Sequence, residues 1–201
     1  MSADGKIALP NRKQIRLSNQ KDSQRVNELR ENCDAILVGI GTVIEDNPKL
    51  TVKGKNNISK NPIRIVLDTN GRTPLNSNIL NNEARTIIAV GNNSNIEKLG
   101  NAEIIKCGDD QIDIRLLIER LSKKGIQKIL VEGGETVLWS FLNEKLFDEI
   151  NIFIASMIIG GEKTPTMAGG SGFTTKIDTL KLSLKHVGRL ENGVLLTYCK
   201  I

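Results

Sequence analysis

"ILVEGGETVLWSFL", residues 129–142, runs from a strand-length apolar stretch through Gly133 and Gly134 directly into a second apolar stretch. The first half carries the β-branched residues of a buried strand, and the second is apolar on most sides, as a buried helix is. Two glycines at such a joint let a ligand approach the backbone with no Cβ in the way. The helix that follows aims N–H groups and a positive dipole end at the same spot, which attracts an anion. A diphosphate is the natural occupant, although an ordinary β-α turn reads equally well from this stretch alone. Glu132, just before the glycines, suits a hydroxyl-rich ligand or a proton transfer better than it suits a phosphate.

Working outward, the same strand–turn–helix grammar recurs. "SNQKDSQRVNELRENC" is a helix that Ser18 or Asn19 can cap, with Val26, Leu29 and Cys33 on one face. "DAILVGIGT", "NPIRIVLDTNGR", "ARTIIAVG" and "AEIIKCG" are strands that end in turn residues. "DDQIDIRLLIERLSKKG" is an amphipathic helix, with Asp109 or Asp110 as the expected N-cap and Ile112, Leu116, Leu117 and Leu121 along one face. Gly125 suits the left-handed position past its end. "DEINIFIAS" is a further strand, and "LKLSLKHVGRL" and "GVLLTYCKI" form a hairpin around "ENG". Strands alternating with helices predict an α/β fold, its mostly parallel sheet flanked by helices and mixed by a C-terminal antiparallel hairpin. No internal repeat or linker divides the 201 residues, so one domain over 1–201 is expected.

Composition narrows the chemistry. The single histidine, His186, leaves no His-based triad or multi-His metal site, and Cys33, Cys107 and Cys199 lack metal or disulfide spacing. No metal is expected. The net charge of +5 fits a phosphorylated small molecule as well as a nucleic acid, and aromatics at 3% are too few for a base-stacking platform. No apolar run reaches the roughly 20 residues of a membrane span, and the polar start "MSADGKIALP" is unlike a secretory signal. A cytoplasmic protein with neither nucleic acid nor membrane as partner is expected.

In an open parallel sheet, ligands bind beyond the carboxyl ends of the strands. "VGIGTVIEDNPKLT" begins like a dinucleotide fingerprint, but Ile44 stands where the third glycine belongs; it offers Thr42 and Asp46 at the rim. "LDTNGRTP" is a good turn in its own right. Its Thr69, Asn70 and Arg72 also make a set able to hold a ribose 2′-phosphate, since the planar guanidinium bonds phosphate oxygens in pairs.

Taken in order, "MSADGKIA", "RVNELRENCDAILVGIGTVIEDNPKLTV", "NPIRIVLD", "ILVEGGETVLWSFL" and "DEINIFIASMIIGG" resemble the riboflavin-pathway reductase family over nearly the whole chain. The resemblance implies a dihydrofolate-reductase-like fold, NADPH as cofactor, a homodimer, and reduction of the ribosyl group of a ribosylaminopyrimidine 5′-phosphate to a ribityl chain. The zinc-deaminase pattern of the bifunctional bacterial members is missing. The chain thus resembles the stand-alone type, which acts on 2,5-diamino-6-ribosylamino-4(3H)-pyrimidinone 5′-phosphate. Carried over by position, the resemblance puts the cofactor on Thr42, Asp46, Thr69, Asn70, Gly71, Arg72, Ile112, Gly133, Gly134, Glu135 and Thr136. It puts the substrate on Asp4, Arg30, Leu50, Lys53 and Glu132. Lys53 stands where many relatives have Arg, which makes its grip on phosphate a point charge rather than a fork. Relatives begin with a full strand before the "MSxDG" turn, so a shortened first strand is expected at Met1. Hydride must reach C1′ of an imine formed by ring opening, with Glu132 as the first proton donor and Lys6 and Asp46 behind it. A dihydrofolate-type reductase shares the fold and cofactor, and a non-catalytic nucleotide-binding module shares the charge.

Overall fold

The computed structural model describes residues 1–54 and 61–201. The stretch "KGKNNISKN", residues 53–61, whose polar composition predicts a loop, lies mostly outside the described residues. Among the described residues the α-helices and strands follow in the order α1 (Gln20–Glu31), β1 (Ala35–Gly39), α2 (Ile40–Asp46), β2 (Ile63–Leu67), β3 (Thr86–Val90), β4 (Glu103–Lys106), α3 (Ile114–Lys123), β5 (Ile129–Gly133), α4 (Glu135–Asn143), β6 (Glu149–Ile154), β7 (Leu182–Leu190) and β8 (Gly193–Lys200). The chain divides into two compact units, residues 27–137 and residues 1–26 with 138–201.

The first unit holds a five-stranded sheet in the order β4-β3-β2-β1-β5, parallel throughout. β1 and β3 are buried along their whole length, which is why they read as unbroken apolar runs rather than alternating ones. Ile36, Val38, Val66, Ile88 and Val90 share one core with Ile40 and Val43 of α2, Leu50, Ile79 and Leu99. α3 buries Ile114, Leu117 and Leu121. Its cap differs from the expected one: Asp113 accepts from Leu116 N at 2.9 Å, and Asp109 and Asp110 stand upstream of the helix. The reason is local. Gly108, at φ +82°, opens a turn so tight that a Cβ there would lie 2.0 Å from Gln111 O, and the helix cannot start until that turn has closed.

The second unit holds a three-stranded antiparallel sheet, β6-β8-β7. The expected hairpin is β7–β8, and β6 pairs along β8 from Glu149↔Cys199 to Ile154↔Val194. The antiparallel strands thus form a hydrogen-bonded sheet of their own. Gly193 is required there, because a Cβ would meet the Phe153 ring at 2.3 Å. Met1–Ala3 lie parallel to the end of β6: Ser2 bridges Ala155, Ala155 N donates to Met1 O, and Ala3 N donates to Met157 O. Asn19, one of the two expected caps of α1, accepts from Asp22 N at 2.9 Å.

Candidate active site

β1 to β4 succeed one another across the sheet, and the chain then crosses to the other side of β1 to make β5. The strand order therefore reverses between β1 and β5, and the crevice outside their carboxyl ends is where an open α/β sheet binds ligands. Register brings those ends level. Gly39 pairs with Leu67, Leu67 with Ala89, and Val38 with Gly133. One edge of the sheet thus carries Gly39–Thr42, Asp68–Arg72, Gly91 and Glu132–Gly134.

The glycines of this edge serve two different purposes. A Cβ on Gly39 would sit 2.8 Å from Val137 Cγ2, so that glycine lets the first turn of α4 pack onto β1. A Cβ on Gly41 would meet nothing within 4 Å, and one on Gly134 only Thr42 Oγ1, at 3.5 Å. Among the described residues, no atom beyond the local backbone crowds a Cβ at those two positions. They leave an open corner bordered by a hydroxyl and by the start of the nine-residue α4. Gly133 is at φ +117° and joined to Gly134 by a cis peptide.

Glu132 is placed by a device the sequence hides. Leu37 pairs with Val131 and Val38 with Gly133, so Glu132 is the extra residue of a β-bulge in β5. Bulges beside sites re-aim a side chain. Here the carboxylate meets Arg30 from the last turn of α1: Nε–Oε1 is 2.7 Å and Nη2–Oε2 is 2.6 Å. The two side chains are 19% and 23% exposed. Burial would lower the Arg30 pKa, but the hydrogen bonds and charge of Glu132 outweigh it and raise it. Arg30 Nη1 also donates to Thr51 O at 3.2 Å. Expected at the substrate phosphate, Arg30 has three of its five N–H groups engaged among the described residues.

The other expected positions fall as follows. Leu50, expected at the substrate, is at φ +49° and belongs to the core, with the whole residue only 3% exposed. Lys53 is exposed, its N–H bonded to Asn27 Oδ1 at 2.7 Å. Asp46 ends α2, half-buried, with no hydrogen-bond partner among the described residues. Burial and then the charge of Glu45 push its pKa up. Glu135 and Thr136 form the first turn of α4. Asp4 and Lys6 belong to the other unit. The Asp4 carboxylate accepts from Ser2 Oγ at 2.6 Å, Ile159 N at 3.1 Å and Gly160 N at 2.7 Å, and these bonds, the Ser2 hydroxyl foremost, hold its pKa down to about 2. Lys6 forms an isolated bridge with Thr166.

Beyond the ends of β2, β3 and β4 lies a polar cavity of about 350 Å³, lined by Thr69, Asn70, Asn93–Ile96, Asp109 and Asp110. Thr69 and Asn70 were expected there. Gly71 shapes the wall, since its φ is +66° and a Cβ would lie 2.3 Å from Ile96 Cδ1. Asp68 builds this loop, its buried carboxylate accepting from Arg72 N, Thr73 N and Thr73 Oγ1 at 2.7–2.9 Å. The exposed Arg72 and the half-buried Ile112 are not part of the lining. Asn93–Ile96 escaped the sequence reading, although "GNNSN" after β3 occupies the same strand-end position as the loops that were singled out.

The open glycine corner and this cavity lie on one edge of one sheet, a donor set that fits the diphosphate and the nucleoside end of a dinucleotide. No group of three or more His, Cys, Asp or Glu suited to a metal occurs among the described residues. Among them no helix is long and apolar enough to cross a membrane.

Compared with known proteins, residues 1–196 match the RibD C-terminal domain. The chain belongs to that family. It is 41% identical to the 2,5-diamino-6-ribosylamino-4(3H)-pyrimidinone 5′-phosphate reductase of Archaeoglobus fulgidus, covering 98% of this chain and 93% of the relative. Its structure is similar to that of RibD from Acinetobacter baumannii, with a TM-score of 0.81 and 26% identity, over 98% of this chain and 55% of the other. The chain thus spans about half the length of that RibD. Dihydrofolate reductase from Enterococcus faecalis, complexed with NADP(H), aligns at a TM-score of 0.52 and 10% identity over 99% of this chain and 91% of the other, a likeness of fold alone. The fold of the RibD C-terminal domain in this chain is accordingly dihydrofolate-reductase-like.

Proposed function

We propose that this chain reduces the ribosylamino group of 2,5-diamino-6-ribosylamino-4(3H)-pyrimidinone 5′-phosphate to the ribitylamino product with NADPH, a step of riboflavin biosynthesis. The observation that carries the reading is the near end-to-end match to the archaeal reductase. Support comes from the site at the strand-order reversal, where Gly41, Gly134 and Thr42 leave room for a diphosphate. Thr69–Arg72 and Ile112 would hold the adenosine end, with Arg72 on the 2′-phosphate. Gly133–Thr136, Thr42 and Asp46 would hold the middle of the cofactor. When bound, the reduced nicotinamide supplies hydride to C1′ of the ring-opened substrate. The remaining tasks fall to this chain's side chains. The Arg30–Glu132 pair and Lys53 bind and orient the sugar phosphate, and Asp4 keeps loop 159–160 in place. The product nitrogen is protonated through Glu132, whose carboxylate, freed when the pair opens on the substrate, first takes up a proton from solvent, with Asp46 as the other donor.

We further propose a cytoplasmic homodimer. β7 pairs with β8 on one side only among the described residues and exposes Leu184 and Val187, apolar area suited to a second copy. A dihydrofolate-type reductase is the competing reading. NADPH oxidation measured side by side with the diamino substrate, its deaminated counterpart and dihydrofolate decides the matter. Turnover fastest on the diamino substrate is expected, and activity on dihydrofolate alone would overturn the proposal.

A further inference from the structure

Arg64 is the second residue of β2, fully buried, and no carboxylate forms an ion pair with it among the described residues. Its Nε donates to Thr86 Oγ1 at 3.0 Å. Nη1 donates to Asn81 Oδ1 at 3.0 Å, Asn78 O at 3.1 Å and Lys49 O at 3.4 Å. Nη2 donates to Asn81 O at 2.7 Å and to Ala84 O. Burial pulls its pKa down to about 10 even with Glu83 nearby. A leucine or methionine would fill the place without desolvating a charge. The guanidinium instead satisfies four backbone carbonyls from two loops.

One of those loops is the segment from Asn47 to Lys53. Two of its non-glycine residues, Asn47 at φ +41° and Leu50 at φ +49°, are left-handed, a conformation that persists only where the surroundings impose it. Asn78 N and Nδ2 hold Asn47 Oδ1 and O, each at 2.7 Å. Arg64 holds Lys49 O and Arg30 holds Thr51 O, so two arginines grip the carbonyls on either side of Leu50. Asn61 Oδ1 takes Val52 N, and Asn27 Oδ1 takes Lys53 N.

We propose that Arg64 is a positioning residue: by fixing the Lys49 carbonyl and the 78–84 turn, it sets the backbone that carries the exposed Lys53 to the sugar-phosphate substrate. This rests on the function proposed above. Arg64→Met should raise the KM for the pyrimidine phosphate about tenfold or more, with kcat and the NADPH KM within about twofold of wild type. Arg64→Lys should recover part of the loss, since an ammonium can still reach one or two carbonyls. Thr86→Val, which removes the Nε acceptor on β3 together with the Oγ1 donor to Ile79 O, should lower the Tm and raise the substrate KM less than Arg64→Met does. A lower Tm for Arg64→Met with no change in substrate KM overturns the proposal, as does an equal rise in both KM values. Should Arg64→Met fail to fold, Asn78→Ala loosens the same segment from a partly exposed position and should raise the substrate KM a few-fold; an unchanged KM there counts against the idea equally. A wild-type protein inactive on the pyrimidine phosphate would bring down the functional reading, and this proposal with it. An active wild type with an indifferent Arg64→Met would bring down the proposal alone.

Discussion

Arg30 and Glu132, 102 residues apart, share a two-bond fork in which the carboxylate comes from a β-bulge and the guanidinium from the last turn of a helix. Both are mostly buried, so neither is well served by losing the other. Breaking such a pair from one side leaves an undercompensated charge, and the coupling between the two positions should be about 1–3 kcal/mol. We expect Arg30→Met and Glu132→Gln each to destabilise the protein, with the double variant less destabilised than the sum. For activity, Glu132→Gln should cut kcat at least about 100-fold if its proton is used, in line with general acid catalysis. Full turnover with unchanged substrate affinity in Glu132→Gln would remove it from the chemistry. Urea titrations of the four proteins and steady-state kinetics supply both numbers.

The two reasons for glycine at this edge can be separated experimentally. Gly39→Ala drives a Cβ to 2.8 Å from Val137 Cγ2, a stiff branched side chain, and should cost about 1–3 kcal/mol of stability. Gly134→Ala meets only an ordinary contact with Thr42 Oγ1 at 3.5 Å, so the fold should tolerate it. The new methyl would enter the corner assigned to the diphosphate, and the NADPH KM should rise about tenfold or more with little change in Tm. An unaffected NADPH KM in Gly134→Ala would move the diphosphate elsewhere.

Arg72 is exposed, and its backbone N–H is fixed by the Asp68 carboxylate at 2.9 Å. Its guanidinium is thus carried on an ordered turn beside a cavity that already holds Asp109 and Asp110. Those carboxylates disfavour a phosphate, and Arg72 is the nearby cation on the β2 turn that would offset them. Arg72→Ala should therefore raise the NADPH KM more than the NADH KM, by about 5–100-fold against less than twofold, the range of a lost charged hydrogen bond. Equal effects on the two cofactors would take the 2′-phosphate away from this residue.

The sheet and its helices were legible because β1 and β3 are buried on both faces and β5 passes straight into α4; each is an apolar run bounded by glycine or turn residues. The strand-end loops followed from the fold class. What stayed hidden was non-local. The bulge that turns Glu132 toward Arg30 exists only once β5 is laid beside β1, and the pairing of β6 with β8 is a matter of register between strands some 40 residues apart. Asp109 and Asp110 have the right residue type for a cap, but a glycine turn ahead of the helix moved that task to Asp113. Arg64 carried no signal of its role within an otherwise apolar strand, and it lies buried because loops from elsewhere in the chain close over it.

Asp46 offers the sharpest test of whether this site trades stability for function. Its carboxylate ends α2, where the helix dipole is unfavourable to negative charge, and burial together with Glu45 raises its pKa. The sign follows from linkage. A carboxyl whose folded pKa lies above its unfolded value binds its proton more tightly in the native state, so it weakens the fold at neutral pH. That penalty disappears as pH falls through the folded pKa and below the unfolded one, 3.8. Asp46→Asn removes the charge with little change of shape. It should raise the Tm by about 1–3 °C at pH 7, and the advantage over wild type should shrink to nothing by about pH 3.5. The same variant should raise the NADPH KM or lower kcat if this half-buried carboxylate, without a hydrogen-bond partner among the described residues, meets a ligand. Thermal melts across the pH series, paired with kinetics at pH 7, check both halves. An Asn variant that is no more stable at pH 7 and fully active would show Asp46 to be an ordinary surface acid.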